Sequence, residues 1–425
     1  MYGSNGNEAR SSSARAEAVV DVKRQRAVVL AVILSTFFVG FGGGVVFPIL
    51  PNLGAVLGIS PFLVGVILST NRFVRVVANA PAGSLVDRIG TRSPFIAGLF
   101  IEGVATLGYI LAMRSTLPEA WFLLARVLWG VGSALVFATA YTIAADVSTG
   151  ESRGTNMGVV RGGMTLGFPA GLVLGGVVSE LFSIPIAFAL AAAFALFASV
   201  LAYATIPETH VSDSKTAVKP WEIETGTPTM TVGLVNFGLY FAYLGALFST
   251  LVLFLAANGF AVLGYGPQAS SGVLMAVTVI AAAGFMFGGG VLSDRLGMRV
   301  PILLGFLAVS FVGFLLLTVA DSVVGLVAAC VLIGTGQGGT SGPLIALLAD
   351  LTPDERIGRA MGTNNVLGDI GGGLGPMISL PLVESVGFTP VYTACALVPL
   401  LAGGVLLYGV YVQTGSVSPR TSIDG

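Results

Sequence analysis

Residues 83–92 read GSLVDRIGTR, and residues 290–299 read GVLSDRLGMR. The two stretches align without a gap, so Gly83, Asp87, Arg88, Gly90 and Arg92 recur as Gly290, Asp294, Arg295, Gly297 and Arg299. A second set of landmarks follows each copy. Gly130, Gly132, Ala145, Asp146, Glu151, Gly154, Met157 and Gly158 return as Gly334, Gly336, Ala349, Asp350, Glu355, Gly358, Met361 and Gly362. Charged positions repeat together with the glycines, which coincidence in a Gly-rich apolar chain does not explain. The chain reads as two halves carrying the same marks in the same order.

What lies between the marks is apolar. The 425 residues are 55% hydrophobic and 10% charged, with a mean hydropathy of +0.92. Soluble domains carry roughly 25% charged residues, and a folded surface must be mostly wettable. Lipid is the solvent that suits this composition. Crossing the hydrocarbon takes about 20 apolar residues per helix, and helices pair every backbone group internally. Twelve spans are predicted, at 28–50, 62–86, 94–113, 119–145, 156–182, 184–206, 230–257, 268–293, 300–320, 323–350, 357–383 and 388–412. The 59 glycines weaken soluble helices but let membrane helices approach closely.

The organisation follows from these spans. Residues 1–26 are polar and Ser-rich and read as a disordered cytoplasmic tail. Six spans fill 27–206, a polar linker covers 207–229, six more spans fill 230–412, and 413–425 form a second tail. Arg88, Arg92, Arg153, Arg295, Arg299, Arg356 and Arg359 fall on one side with the basic residues of the tails and linker. Arg114 stands alone on the other. By the positive-inside rule both termini are cytoplasmic, in a multi-pass protein of the cell (inner) membrane.

Several function classes lose support here. A net charge of −1 offers no footprint for nucleic acid. Cys330 and Cys395, the two cysteines, sit in apolar runs and suggest neither a disulfide framework nor a metal cluster. No phosphate-cradling loop or metal-ligand motif is present, so no cofactor, no metal and no enzymatic activity are expected.

The sequence GSLVDRIGTR, placed after the second span and doubled after the eighth, resembles the signature loop of the major facilitator superfamily. The pattern is nearest to the twelve-helix drug:proton antiporter branch. One basic signature position is Thr91 here. The resemblance covers residues 27–412. It implies an all-α membrane protein whose twelve transmembrane helices form two six-helix bundles, related by a parallel repeat around a central cavity. It also implies a secondary transporter that works by alternating access, usually as a monomer. In that family the loop is a gate latch, which assigns gate roles to Gly83, Asp87, Arg88, Gly90, Arg92 and Asp146, and to Gly290, Asp294, Arg295, Gly297, Arg299 and Asp350. A topology anchor is a compatible reading of the same charges.

Two further patterns are partly present. Residues Arg126 to Gly132 resemble a fourth-helix pattern with a buried arginine, whose counterpart in the second half is Cys330. The fifth span resembles the antiporter pattern, with hinge glycines Gly163, Gly167 and Gly171. Its Gly-Pro pair is broken, because Phe168 follows Gly167 and the proline is Pro169. The eleventh span keeps the intact form in Gly371, Gly375 and Pro376. Close helix packing explains both runs as well as a directional marker does.

Ionisable groups inside the membrane cost about 2.5 kcal/mol or more each and therefore point to function. Asn71, Arg72, Arg75 and Asn79 fall within an arc of about 100° on the second helix, a polar stripe that must face protein or water. Arg75 lies about 18 Å in from the Asp87 rim, and Asp369 lies at similar depth. We expect Asp369 to pair with Arg72 or Arg75 across the cavity and to couple a proton to motion, with a static ion pair as the alternative. Glu102 is either a second proton site or a partner for Arg126 or Arg161. The aromatics Phe37, Phe41, Trp129, Tyr141, Tyr240 and Tyr243 are candidates for a greasy cavity wall. Embedded arginines outnumber embedded acids, which favours anionic or neutral substrates.

The expected function is secondary active transport of a small organic molecule, with H+ as coupling ion and efflux as direction. Proton-coupled uptake of an organic anion or other metabolite is the alternative. A non-transporting receptor or scaffold is the reading from a different class.

Overall fold

The computed structural model describes residues 5–146, 153–208 and 223–417. The chain is helical along nearly all of this length. In order, the helices are α1 (Asn5–Val56), α2 (Pro61–Ile89), α3 (Arg92–Ala112), α4 (Pro118–Asp146), α5 (Arg153–Leu181) and α6 (Ile184–Thr205). The second half supplies α7 (Thr227–Asn258), α8 (Pro267–Leu296), α9 (Arg299–Val319), α10 (Val323–Leu351), α11 (Ile357–Val386) and α12 (Phe388–Thr414). All twelve contain a stretch long and apolar enough to cross a membrane, each within a few residues of a predicted span.

The halves pack by the same rule. In the first, α1 lies against α5 and α6, α4 against α2 and α3, and α3 against α6; in the second, α7 lies against α11 and α12, α10 against α8 and α9, and α9 against α12. Two pairs, α2 with α11 and α5 with α8, make the broadest contacts between the halves, and α1 also touches α7 and α8.

Glycine makes the closest of these contacts possible. A Cβ on Gly167 or Gly171 of α5 would overlap the backbone carbonyl of Phe37 or Phe41 on α1, and a Cβ on Gly371 of α11 would overlap that of Phe237 on α7. Gly163 likewise sits with its missing Cβ 2.7 Å from the Ile33 carbonyl oxygen. Small residues one turn apart let two backbones touch where lipid offers no hydrophobic drive to hold helices together. The glycines read from sequence as hinges are, in the structure, contact glycines.

Two expectations need correction. Helix α1 starts at Asn5, where the sequence suggested a disordered tail; residues 5–26 lack proline and hold four Ala and four Arg, which favour helix. Of the loop glycines, Gly83 and Gly290 lie inside α2 and α8 with open space where a Cβ would be, whereas Gly90 and Gly297 close those helices at φ of +85° and +61°. The seventh span is not one continuous α-helix, because Phe241–Leu247 widens into a π-helical turn. There Gly245 abuts Gly375 of α11. The linker expected at 207–229, with His210, lies largely outside the described residues, and so do Glu151 and the side chain of Arg161.

Candidate functional site

The polar stripe on α2 faces protein, as its arc required. Asn71 is buried, and Asn71, Arg72 and Arg75 border a cavity of about 340 Å3 between the halves. Arg126, Trp129 and Phe137 reach it from α4, Phe47 from α1, Phe168 from α5, Tyr240, Tyr243 and Leu244 from α7, and Val279 from α8. Asn79, one turn beyond Arg75, is exposed and does not line the cavity.

Asp369 joins the halves at this depth. Its Oδ1 accepts hydrogen bonds from Arg72 Nη1 at 3.3 Å and from Arg75 Nη2, so one carboxylate of α11 holds two guanidinium groups of α2. The side chains are only 13–17% exposed. Arg75 also lies over the Phe137 ring, 5.1 Å from its centre, in a cation–π arrangement.

Arg126 has a different setting. Its Nε donates to the Ile67 carbonyl at 3.1 Å, and its Nη2 donates to the Leu68 carbonyl at 2.8 Å and to Asn71 Oδ1 at 2.5 Å. Its Nη1 donates to the Tyr109 hydroxyl at 3.4 Å. The buried cation therefore ties α4 to α2 through neutral oxygens.

The expected partnership of Glu102 with Arg126 is not formed. Positions 126 and 130 are one turn apart on the α4 face that meets α2, since a Cβ on Gly130 would touch Asn71 and Val74. Gly132 is on the face that meets α3 and packs on Glu102 instead. Glu102 is 1% exposed, and its Oε1 has no hydrogen-bond partner. It does not line the cavity.

The aromatic candidates divide. Trp129, Tyr240 and Tyr243 line the cavity, Phe41 is buried in the core, and Phe37 backs onto Gly167. The side chain of Tyr141 lies outside the described residues. Sequence reasoning missed Phe47, Phe137 and Phe168. Each sits in an apolar run whose facing only helix packing reveals.

The contacts between the halves gather at the end of the bundle away from the chain termini. There Gly65 packs on Pro376 and Met377, Ser69 Oγ donates to the Gly373 carbonyl, and Gly272 packs on the Leu172 carbonyl. Glu180, near the end of α5, accepts from the backbone N–H of Gly266 and, at 3.1 Å, of Ala269. Its carboxylate thus caps the first turn of α8, where unpaired N–H groups favour an anion. Toward the other end, Val77 of α2 and Phe287 of α8 are 75% and 72% exposed.

The repeated loops carry charge networks of unequal form. In the second half Arg299 bridges Asp294 and Asp350, with 3.0 Å from Nε to Asp350 Oδ2. In the first half Arg92 donates to the Tyr203 carbonyl at 2.9 Å, and Glu208 accepts from Thr91 N–H at 2.6 Å. Asp87, Arg88 and Arg295 are exposed at these rims.

Twelve membrane-length helices in two matching bundles, around a cavity with charged walls, define a membrane transport fold. Residues 32–376 match the model of the Major Facilitator Superfamily, and the chain belongs to that family. It is 26% identical over 390 residues to an uncharacterised MFS-type transporter of Methanocaldococcus jannaschii, covering 88% of this chain and 96% of that one. It is also 26% identical to the multi-drug resistance efflux pump PmrA of Streptococcus pneumoniae, covering 85% and 90%. Its fold matches a bacterial homologue of the human lysosomal transporter Spinster in an inward-facing conformation, with a TM-score of 0.75 at 16% identity over 94% of this chain and 99% of that one.

Proposed function

We propose that this superfamily transporter is a proton-coupled exporter of small organic molecules that works by alternating access. The reading places it in the cell membrane as a monomer, with both termini cytoplasmic and the cavity open to the cytoplasm. The observation that carries it is the single carboxylate of Asp369 held between Arg72 and Arg75 across the two halves. A proton on Asp369 removes the charge that holds α11 to α2, so the same event that binds H+ loosens the joint on which the halves rock. The gate loop of the second half adds a local contact set, since Arg299 and its two aspartates tie the ends of α8, α9 and α10 to one another. The efflux direction rests on likeness to efflux pumps such as PmrA.

The test is proton flux in proteoliposomes. The purified chain is sealed in with a pH-sensitive dye, and organic anions, sugars and drug-like compounds are added one at a time. A compound-specific pH change establishes coupling, and its sign gives the direction. A protein that binds compounds yet moves neither them nor protons would overturn the reading.

A further inference from the structure

We propose that the cavity selects an organic anion with an aromatic body, and that Arg72 is the residue that holds its carboxylate. This assignment rests on the cavity being the transport site, and it adds the sign of the substrate's charge and the side chain that reads it.

Among the described residues, the charged side chains lining the cavity are Arg72, Arg75 and Arg126, with no carboxylate beside them in its lining. Asp369 is turned toward two of the arginines. Glu102 is buried against Gly132, and Glu180 is engaged at the far end of the bundle. Three guanidinium groups against the one carboxylate of Asp369 leave a surplus of two positive charges at the cavity wall. A low-dielectric pocket strengthens that field, so a cation entering it meets net repulsion, with Asp369 already held by two arginines.

The three arginines are not equally available. Arg126 spends its donors on Ile67, Leu68, Asn71 and Tyr109. Arg75 is shared between Asp369 and the face of Phe137. Arg72 makes one protein hydrogen bond, from Nη1 to Asp369. Its Nε and Nη2 edge donates to no protein atom among the described residues, while the side chain lines the cavity. A guanidinium edge with two parallel N–H groups is the shape that takes a carboxylate in two hydrogen bonds. Around it stand Phe47, Trp129, Phe137, Phe168, Tyr240 and Tyr243, flat surfaces for an aromatic body. The cavity volume lies near the lower end of the roughly 300–1,000 Å3 of small-ligand pockets, which suits a ligand of a few rings.

Three probes with one ring system and different charge decide the matter: naphthoate, naphthamide and naphthylmethylammonium. Each is titrated into the purified full chain in detergent at neutral pH by calorimetry, with empty micelles as the blank. Naphthoate is expected to bind about tenfold or more tighter than naphthamide, and the ammonium most weakly. In a folded Arg72→Gln protein the preference for naphthoate over naphthamide is expected to disappear. The unsubstituted protein alone decides the sign of the charge, so a poorly folding variant does not obscure the result. Equal binding of the three probes, preference for the ammonium, or no detectable naphthoate binding would overturn the anion assignment. A preference for naphthoate that survives in a folded Arg72→Gln protein would overturn the role of Arg72. Compound-driven proton flux in proteoliposomes alongside any of these failures would leave the transporter reading standing.

Discussion

Arg75 of α2 and Asp369 of α11 form an ion pair across the two halves of the transporter, with Arg72 as a second donor to the same oxygen. Residues far apart in the chain thereby share one charge inside the helix bundle. A buried carboxylate with two guanidinium partners is worth most as a unit, because removing one member leaves the others desolvated and unmatched.

That dependence predicts the behaviour of Asp369→Asn. The amide keeps the shape and loses both the charge and the proton. Substrate accumulation driven by a pH gradient is expected to fall to background in proteoliposomes, while exchange of labelled for unlabelled substrate continues. Gradient-driven transport at the parent rate would remove Asp369 from the coupling mechanism.

Arg126 ties α4 to α2 through three hydrogen bonds and to Tyr109 of α3 through a fourth, all to neutral acceptors. Arg126→Ala strands Asn71 and two carbonyls in a buried setting and is expected to destabilise the protein by about 3 kcal/mol. Arg126→Lys should recover little, because an ammonium cannot reproduce the planar fork. Chemical denaturation in detergent measures both, and a lysine variant as stable as the parent would contradict the bonding pattern described here.

Two glycines should respond in opposite ways. A side chain at Gly171 meets the Phe41 carbonyl of α1, whereas one at Gly83 meets open space. Gly171→Val is expected to cost about 1–3 kcal/mol through overpacking. Gly83→Ala, inside a helix, should be neutral or stabilise by up to about 1 kcal/mol. Melting temperatures of the two variants beside the parent give the order, and a reversed order would mean that the α1–α5 contact is misplaced.

Glu180 holds the first turn of α8 from the end of α5, so its loss should loosen the closed end of the bundle. Labelling reports this loosening through a cysteine placed at Val279, a cavity residue, since Cys330 and Cys395 are both buried. In a Glu180→Ala background, a membrane-impermeant maleimide added from the side opposite the termini is expected to label that cysteine several-fold faster. Unchanged labelling would show that the other contacts close this end without Glu180.

Much of the site was legible before any fold was known. Asn71, Arg72 and Arg75 could be assigned to one face of α2 because helical periodicity is local. Asp369 stood out because an acid in an apolar span has few reasons to be there. Asn79 belonged to the same arc yet lies outside the cavity, because the helix leaves the cavity wall one turn earlier. Glu102 looked like a partner for Arg126, but it packs on Gly132 in the α3–α4 interface while Arg126 turns to α2. Nothing in the apolar run of α7 announced its π-helical turn, which lies where Gly245 meets Gly375.

The sequence by itself determined the number of helices, the two matching halves and the place of each charge along its helix, because hydropathy, repeat spacing and helical rise are properties of neighbouring residues. The tertiary structure decided which charges meet. Asp369 reaches Arg72 and Arg75 across separations of 297 and 294 residues, Arg126 turns to the carbonyls of α2, and three arginines from two helices meet at one cavity wall. Those outcomes depend on how closely α2 approaches α11 and α4 approaches α2, distances set by the packing of whole helix faces and carried by no single stretch of chain.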